Sequence, residues 1–268
     1  MNEAAAPISP PPTPPRVQPL SASELLRVWE RGRSASPVEQ AISLLESACP
    51  SVTRESIEEL SIGKRDTCLL ELREILFGRE LCSLTDCPGC GERLEMTFQI
   101  SDIRVPPDPE SRQRLTIRRS GYELGVRLPN SADLLALSTS ASLQEICDKL
   151  FARCVVSVTR SGLRLEPVQS VEQIAASVPV EVVEAAIEAM GEADRQADVK
   201  LDLTCPICGI RWKTTFDIVS YLWSELQERA MCLMREVHLL ASTYGWGEFE
   251  ILALSSWRRQ YYLEMLSG

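Results

Sequence analysis

The sequence predicts an α+β fold in which two β-hairpins share one small core, with helices before and after them and an α+β insertion between them. Three patterns predict this fold. A Cys-Pro-x-Cys-Gly motif occurs twice, at residues 87–91 and 205–209. Apolar and polar residues alternate after each copy, as they do in half-buried strands. Elsewhere, apolar residues recur at three- and four-residue steps, the spacing of helices that pack on a core.

The two copies of the motif are similar well beyond their cysteines. Proline presets the backbone for a tight turn, and the glycine allows the left-handed conformation that sends the chain back as a strand. Each copy is therefore predicted to be a knuckle at the tip of a β-hairpin. Aligned on the first cysteine, the copies share the pairs Cys87/Cys205, Pro88/Pro206, Cys90/Cys208, Gly91/Gly209, Arg93/Arg211, Thr97/Thr215, Phe98/Phe216 and Ile100/Ile218.

Two cysteine pairs with this spacing suit a structural zinc site. A zinc ion at such a site takes four ligands in a tetrahedron, and thiolates are among its preferred ligands. Cys87, Cys90, Cys205 and Cys208 are therefore predicted to bind one Zn²⁺. The two zinc-knuckle hairpins would then form one zinc-ribbon-like core. Because four protein ligands leave no open position on the ion, its predicted role is structural.

The cysteines also permit a redox and a disulfide interpretation. Redox Cys-x-x-Cys motifs usually begin a helix, which lowers the thiol pKa, whereas a strand pattern follows both motifs here. The chain begins with no secretory signal and has no apolar run of bilayer length, so a reducing cytoplasm is predicted. Cys82 is a weak candidate for a spare ligand. The cysteines predicted to be buried free thiols are Cys49, Cys68, Cys82, Cys147, Cys154 and Cys232.

The composition along the chain divides it into six segments. The first is rich in proline and is predicted to be extended or disordered, because proline cannot continue a helix or a sheet ladder. The segments are a Pro-rich tail (1–20), an N-terminal helical segment (21–80), knuckle one (81–104), an α+β insertion (105–198), knuckle two (199–218) and C-terminal helices (219–268).

Helix caps and apolar stripes predict the helices of these segments. Ser23, Ser131 and Ser256 are predicted caps, since serine accepts hydrogen bonds from the first free amides of a helix. Residues 217–244 carry the strongest stripe, which packs on the rest of its own domain or on another subunit. The stripe comprises Val219, Leu222, Leu226, Ala230, Leu233, Val237, Leu240 and Tyr244.

Charge and catalytic residue types argue against several functions. A net charge of −10 disfavours a general phosphate-binding surface, since nucleic-acid affinity rests on Lys and Arg. The densest basic cluster, which is either a solvated strand face or a contact for an acidic partner, comprises Arg112, Arg114, Arg118 and Arg119. The single histidine, His238, lies in a predicted helix, and the sequence has no phosphate-binding glycine loop. The chain is therefore predicted not to be an enzyme.

Several stretches of residues 60–268 resemble a phage base-plate protein family of the T-even type, whose members also occur in contractile injection systems. They include Leu-Glu-Leu-Arg-Glu-Ile-Leu-Phe-Gly at 70–78 and Leu-Asp-Leu-Thr-Cys-Pro-Ile-Cys-Gly at 201–209. The resemblance implies zinc on the four knuckle cysteines and a structural or assembly role among base-plate or tail proteins, without nucleic acid or membrane insertion. The alternatives are a zinc-ribbon nucleic-acid-binding regulator and a dithiol oxidoreductase.

Overall fold

Helices from both ends of the chain build the main core. The computed structural model describes residues 15–106, 114–137, 142–161, 163–164 and 178–267. Leucine, isoleucine and alanine side chains of these helices fill the core, and several of them are fully buried. The helices are α1 (Ala22–Gly32), α2 (Pro37–Ala48), α3 (Arg54–Glu58), α4 (Ile62–Phe77) and α9 (Ile218–Tyr244).

The long helix α9 buries most of its predicted stripe against its own domain. Leu222, Leu226 and Ala230 are completely buried, and α9 contacts α1, α2 and α4. Towards the end of the helix the stripe departs from the prediction, since Tyr244 remains 37% exposed. The ring of Tyr244 instead stacks on Trp246, with 4.8 Å between ring centroids.

Three helices begin at a different capping residue from the one predicted. The cap of α1 is Ser21 rather than Ser23, and the carboxylate of Glu24 accepts a bond from the amide of Ser21 in return. Asn130 and Ser255 take the positions predicted for Ser131 and Ser256. Each corrected cap lies one or two residues before the predicted one, where the sequence offers another good capping side chain.

The last residues of the Pro-rich segment pack on the main core. Residues 15–20 form neither helix nor strand, but Val17 and Leu20 are buried. The amide of Gln18 donates to the carbonyl of Ala48 at 2.8 Å. Residues 15–20 therefore belong to the packed body, and the rest of the predicted tail lies outside the described residues.

Two antiparallel hairpins carry the knuckles, as predicted. The first pairs β1 (Glu80–Asp86) with β2 (Arg93–Gln99), and the second pairs β7 (Lys200–Thr204) with β8 (Arg211–Thr215). After the first hairpin the chain enters the short helix α5 (Ile100–Ile103). After the second it enters α9, which is followed by α10 (Glu248–Ala253) and α11 (Ser256–Ser267).

The repeat ends at a matched isoleucine, which is Ile100 in the first copy and Ile218 in the second. Both isoleucines lie in the main core, with 2% and 4% exposure. Each hairpin is therefore fixed to the same helical body at its base.

The insertion has a core of its own. Its sheet is antiparallel, and the hairpin predicted around Ser120 and Gly121 joins its first two strands. Helix α8 (Val180–Ala193) packs against the first two strands, so that Val182 and Ala186 are buried with Leu124. The remaining elements are β3 (Arg114–Arg119), β4 (Tyr122–Arg127), α6 (Ser131–Leu135), α7 (Leu143–Cys154), β5 (Val155–Arg160) and β6 (Leu163–Arg164).

Polar contacts dock the insertion on the beginning of α4. The carboxylate of Asp194 accepts a hydrogen bond from the amide of Gly63 at 2.9 Å. The amide of Ile62 donates to the carbonyl of Pro129 at 3.2 Å. A carboxylate at this end of a helix satisfies amides that have no partner within the helix and is favoured by the helix dipole.

Only half of the six remaining cysteines are buried. Cys49, Cys68 and Cys154 are buried, and burial raises the pKa of their thiols to about 11, 12 and 11 respectively. The prediction of burial was wrong for Cys82, Cys147 and Cys232, which are exposed.

None of the helices in the described part of the chain combines the length and apolarity that crossing a bilayer requires.

Gly32 marks a close approach of α1 to α9. A Cβ atom at this position would overlap the indole ring of Trp223. We expect Gly32→Ala to lower the free energy of unfolding by about 1–3 kcal/mol, because a rigid ring in a packed core has little room to move. Gly191→Ala is the control, since nothing lies near its Cβ position in α8, and it should raise stability by about 0.5–1 kcal/mol. Urea denaturation of both variants tests this, and equal effects would contradict the packing.

Candidate metal centre

The two remote cysteine pairs converge at one point between the hairpins. The sulfur atoms of Cys87, Cys90, Cys205 and Cys208 all lie within 4.8 Å of one another. The Sγ atoms of Cys87 and Cys208 are 3.6 Å apart, and those of Cys90 and Cys205 are 3.7 Å apart. The first cysteine of each pair thus lies beside the second cysteine of the other. The predicted convergence of the two knuckles is confirmed.

Each cysteine pair lies in a tight turn at the tip of its hairpin. The amide of Cys87 donates to the carbonyl of Glu92, and the amide of Gly91 donates to the carbonyl of Cys87, both at 2.9 Å. In the second turn, the amide of Gly209 donates to the carbonyl of Cys205 at 3.0 Å. Gly91 and Gly209 both have a φ of 73°, in the left-handed region that glycine adopts at little cost. The two turns therefore have nearly the same geometry.

Backbone amides point at the inner sulfur of each turn. The amide of Gly89 lies 3.4 Å from Sγ of Cys87, and the amide of Cys208 lies 3.5 Å from Sγ of Cys205. The contact at Cys87 favours the ionised form of that thiol. Cys87 and Cys205 are buried, whereas Cys90 and Cys208 are exposed, so the cluster lies at the surface with one side shielded.

The thiols of the cluster differ in how readily they ionise. The amides of Cys90 and Gly89 lower the pKa of Cys87 to about 6. At Cys90 the amide of Glu92 lowers the pKa, but desolvation and the neighbouring sulfurs outweigh it and raise the pKa to about 12. At Cys208 the amide of Ile210 lowers the pKa, but desolvation and the sulfurs of Cys87 and Cys205 outweigh it, so the pKa is raised. Adjacent thiolates repel one another, and a divalent cation would remove this repulsion.

The arrangement of the sulfurs fits a tetrahedral thiolate site. Four sulfurs at about 2.3 Å from one ion would lie about 3.8 Å from each other. The two pairs that join the hairpins are 3.6 and 3.7 Å apart, and all four sulfurs lie within 4.8 Å of one another. A disulfide would need a separation of about 2 Å. Four sulfur donors in this geometry are typical of soft-ligand sites for zinc or iron. Cys82 is not part of the cluster, and its sulfur lies 3.8 Å from the hydroxyl of Thr97 on the neighbouring strand.

Aromatic side chains hold the hairpins against each other below the cluster. The repeated residues Phe98 and Phe216 meet edge to face, with 5.7 Å between ring centroids. Phe216 also packs on Tyr221 of α9 at 5.4 Å. The hydroxyl of Tyr221 accepts a bond from the amide of Cys82 at 3.0 Å and donates to the carbonyl of Cys82 at 2.9 Å. One residue of α9 therefore anchors the first strand of the first hairpin.

A buried arginine joins the helical body to the base of the first hairpin. Nε and Nη2 of Arg73 donate to the two carboxylate oxygens of Glu225 at 2.9 and 2.7 Å. Nη1 donates to the carbonyl of Gly78 at 2.8 Å, and the guanidinium lies over the ring of Tyr221 at 5.7 Å. Sequence reasoning missed Arg73, Glu225 and Tyr221, because nothing in their helical patterns shows that these side chains meet.

The other residues that the sequence singled out lie away from the cluster. Arg114, Arg118 and Arg119 are exposed on the insertion sheet, where Arg118 pairs with Glu123 at 2.8 Å. Arg112 lies outside the described residues. His238 is exposed on α9. The structure brings none of these residues to the cysteines.

Comparison with known proteins places the chain in a family. A family described as T4 bacteriophage base plate protein matches residues 21–223. The match begins earlier than the resemblance seen in the sequence and ends within α9. It therefore includes the N-terminal helices, both knuckles and the insertion. No curated protein and no solved structure matches the chain. The chain belongs to the T4 bacteriophage base plate protein family.

Proposed function

We propose that this chain is a non-enzymatic structural component or assembly factor of the base plate of a contractile phage-tail-like injection system. The family match over residues 21–223 carries the proposal, since it implies contact with other base-plate or tail proteins. The proposal includes one structural Zn²⁺ bound by the four knuckle cysteines. It also includes assembly in the cytoplasm, where thiols remain reduced.

The zinc ion would join two distant parts of the chain. Cys87 and Cys208 are 121 positions apart in the sequence, yet their sulfurs lie 3.6 Å apart. Four thiolates would fill the coordination shell of the ion, leaving no place for a substrate. Because the base of each hairpin is buried in the main core, a cross-link at their tips would restrain the insertion between them. A rigid body of this kind suits a part that must hold several neighbours in fixed positions.

The placement of the cysteine pairs favours this role over a dithiol oxidoreductase. Both pairs lie in turns between β-strands. Redox pairs usually lie at the beginning of a helix, where the dipole stabilises the reactive thiolate. In addition, two of the four sulfurs are buried, which limits access by a disulfide substrate. A nucleic-acid-binding role is less well supported, because the net charge is −10 and Glu123 partly neutralises the basic strand.

Quantitative mass spectrometry of base-plate assemblies tests the proposed function. A tagged chain should copurify with base-plate or tail subunits from cells that produce the particles. A structural component should persist in finished particles at a fixed ratio to other subunits, and an assembly factor should occur only in incomplete ones. The proposal would be contradicted if the chain were absent from both finished and incomplete particles. It would also be contradicted if the chain were recovered with nucleic acid instead, in a way that depends on salt concentration.

A further inference from the structure

The cysteine cluster contains two sulfur pairs that cross from one hairpin to the other. Sγ of Cys87 is 3.6 Å from Sγ of Cys208, and Sγ of Cys90 is 3.7 Å from Sγ of Cys205. A shift of about 1.6 Å would bring either pair to the length of a disulfide bond. Each crossing pair combines an exposed cysteine, Cys208 or Cys90, with a buried one. One sulfur of each pair is therefore within reach of a small oxidant, and its neighbour lies beside it.

Contacts between the hairpins keep these sulfur pairs together. The two tips touch, since a Cβ atom at Gly89 would overlap the side chain of Ile210 and lie 3.5 Å from Sγ of Cys208. Below the tips, Phe98 meets Phe216 edge to face at 5.7 Å. The sulfurs of one turn therefore have the sulfurs of the other turn as constant neighbours.

We propose that the four cysteines are a redox modification site, at which hydrogen peroxide forms the disulfides Cys87–Cys208 and Cys90–Cys205. A covalent cross-link between the hairpins would then take the place of the metal ion. The inference rests on the shared thiolate site of the proposed function and is independent of the role in a base plate.

Each disulfide requires one molecule of hydrogen peroxide. The thiolate of Cys208 attacks one peroxide oxygen, the O–O bond breaks, and hydroxide leaves a sulfenic acid on Cys208. The thiolate of Cys87 then attacks this sulfur, so that the S–S bond forms, the S–O bond breaks and a second hydroxide leaves. Two thiolates are oxidised by two electrons, and the peroxide is reduced to two hydroxides. Cys90 and Cys205 react with a second peroxide in the same way.

The disulfides would keep the hairpin tips joined where thiolates do not survive. A metal ligand must be a thiolate, so oxidation releases any zinc ion that the cluster holds. The new bonds join residues 121 and 115 positions apart. Cross-links that close long loops restrict the unfolded chain most. The same tips would therefore be joined by zinc in a reducing cytoplasm and by disulfides in an oxidising medium.

Peptide mapping of the oxidised wild-type chain tests the pairing. Zinc content is measured first, the zinc-loaded full chain is treated with dilute hydrogen peroxide, and the remaining free thiols are blocked. Trypsin releases the first knuckle as residues 80–93 and the second as residues 201–211. Crossing disulfides join these two peptides, whereas a disulfide within either turn leaves them separate. We expect the joined peptide, two disulfides per chain and release of the bound zinc, with the pairing assigned by fragmentation in the mass spectrometer.

Hydrogen exchange measures whether the disulfides replace the metal. Amides of both hairpins should exchange at least about tenfold more slowly in the oxidised chain than in the reduced chain stripped of zinc by a chelator. Equal exchange in these two forms would overturn the proposal. Cys82→Ser, an exposed cysteine on the first hairpin but outside the cluster, is the control and should give the same joined peptide.

Three other products of oxidation would overturn the proposal. They are a disulfide within a turn, a disulfide to Cys82, and sulfinic or sulfonic acids without a disulfide. A chain that binds zinc and copurifies with base-plate subunits but gives one of these products would contradict this inference alone. Because zinc is measured before peroxide is added, failure of the metal site is distinguished from failure of the crossing pattern.

Discussion

Cys87→Ser or Cys205→Ser is expected to abolish zinc binding and to unfold the junction between the two hairpins. Either change removes a sulfur atom that lies within 4.8 Å of the other three. Structural zinc binding in small domains supplies about 10–16 kcal/mol of apparent free energy, and this is coupled to folding. We therefore expect the free energy of unfolding to fall by several kcal/mol. The hairpins should lose protection from hydrogen exchange before the helical core does, because the helical core has its own apolar contacts.

Zinc content and hydrogen-exchange mass spectrometry measure the two effects separately. The matched controls are Cys82→Ser, on the same hairpin but outside the cluster, and Cys232→Ser, exposed on α9. Both controls should retain zinc and stability. The shared site is wrong if a variant in one pair leaves the zinc content and the protection of the other hairpin unchanged.

Arg73→Met is expected to give the largest loss of stability among changes outside the cluster. Arg73 is 3% exposed, and its loss would leave the Glu225 carboxylate and the Gly78 carbonyl without their partner. Removing one member of a buried ion pair typically costs about 3–5 kcal/mol, because the remaining charge stays desolvated. Since Glu225 retains some contact with solvent, about 3 kcal/mol is expected.

An exposed pair of the same type provides the control for this effect. Arg79 donates to Glu74 at 2.9 Å, but the Arg79 side chain is 81% exposed. Arg79→Met should therefore change stability by less than about 1 kcal/mol. The double variant Arg73→Met/Glu225→Met should recover part of the loss, because it leaves no unpaired carboxylate. Equal costs for Arg73→Met and Arg79→Met in urea denaturation would show that burial does not govern this junction.

The sequence predicted the cysteine cluster because the repeat encodes it directly. Matching prolines, glycines and cysteines specify the turn geometry, and that geometry needs no knowledge of the rest of the fold. The matched isoleucines, Ile100 and Ile218, also carried information that became clear only in the structure, where both enter the main core. Helices with a strong stripe, such as α9, were predicted almost to the residue.

What the sequence did not predict depends on contacts between distant segments. The meeting of Arg73 with Glu225 depends on how α4 crosses α9, which helical periodicity does not specify. The approach of Gly32 to Trp223 depends on the same packing.

The exposed thiol of Cys232 illustrates a different difficulty. Cysteine is usually buried, yet this one lies on the face of α9 that turns away from the core. The capping errors arose where two suitable residues lie close together, as Ser21 and Ser23 do.

X-ray absorption spectroscopy of the purified chain, combined with metal analysis, tests the central claim most directly. A site shared by both hairpins should contain one zinc ion per chain, with four sulfur ligands at about 2.3 Å. Changing either cysteine pair to serine should abolish that signal entirely. Zinc with only two sulfur ligands, or half an ion per chain bridging two molecules, would contradict a centre that joins Cys87 and Cys90 to Cys205 and Cys208.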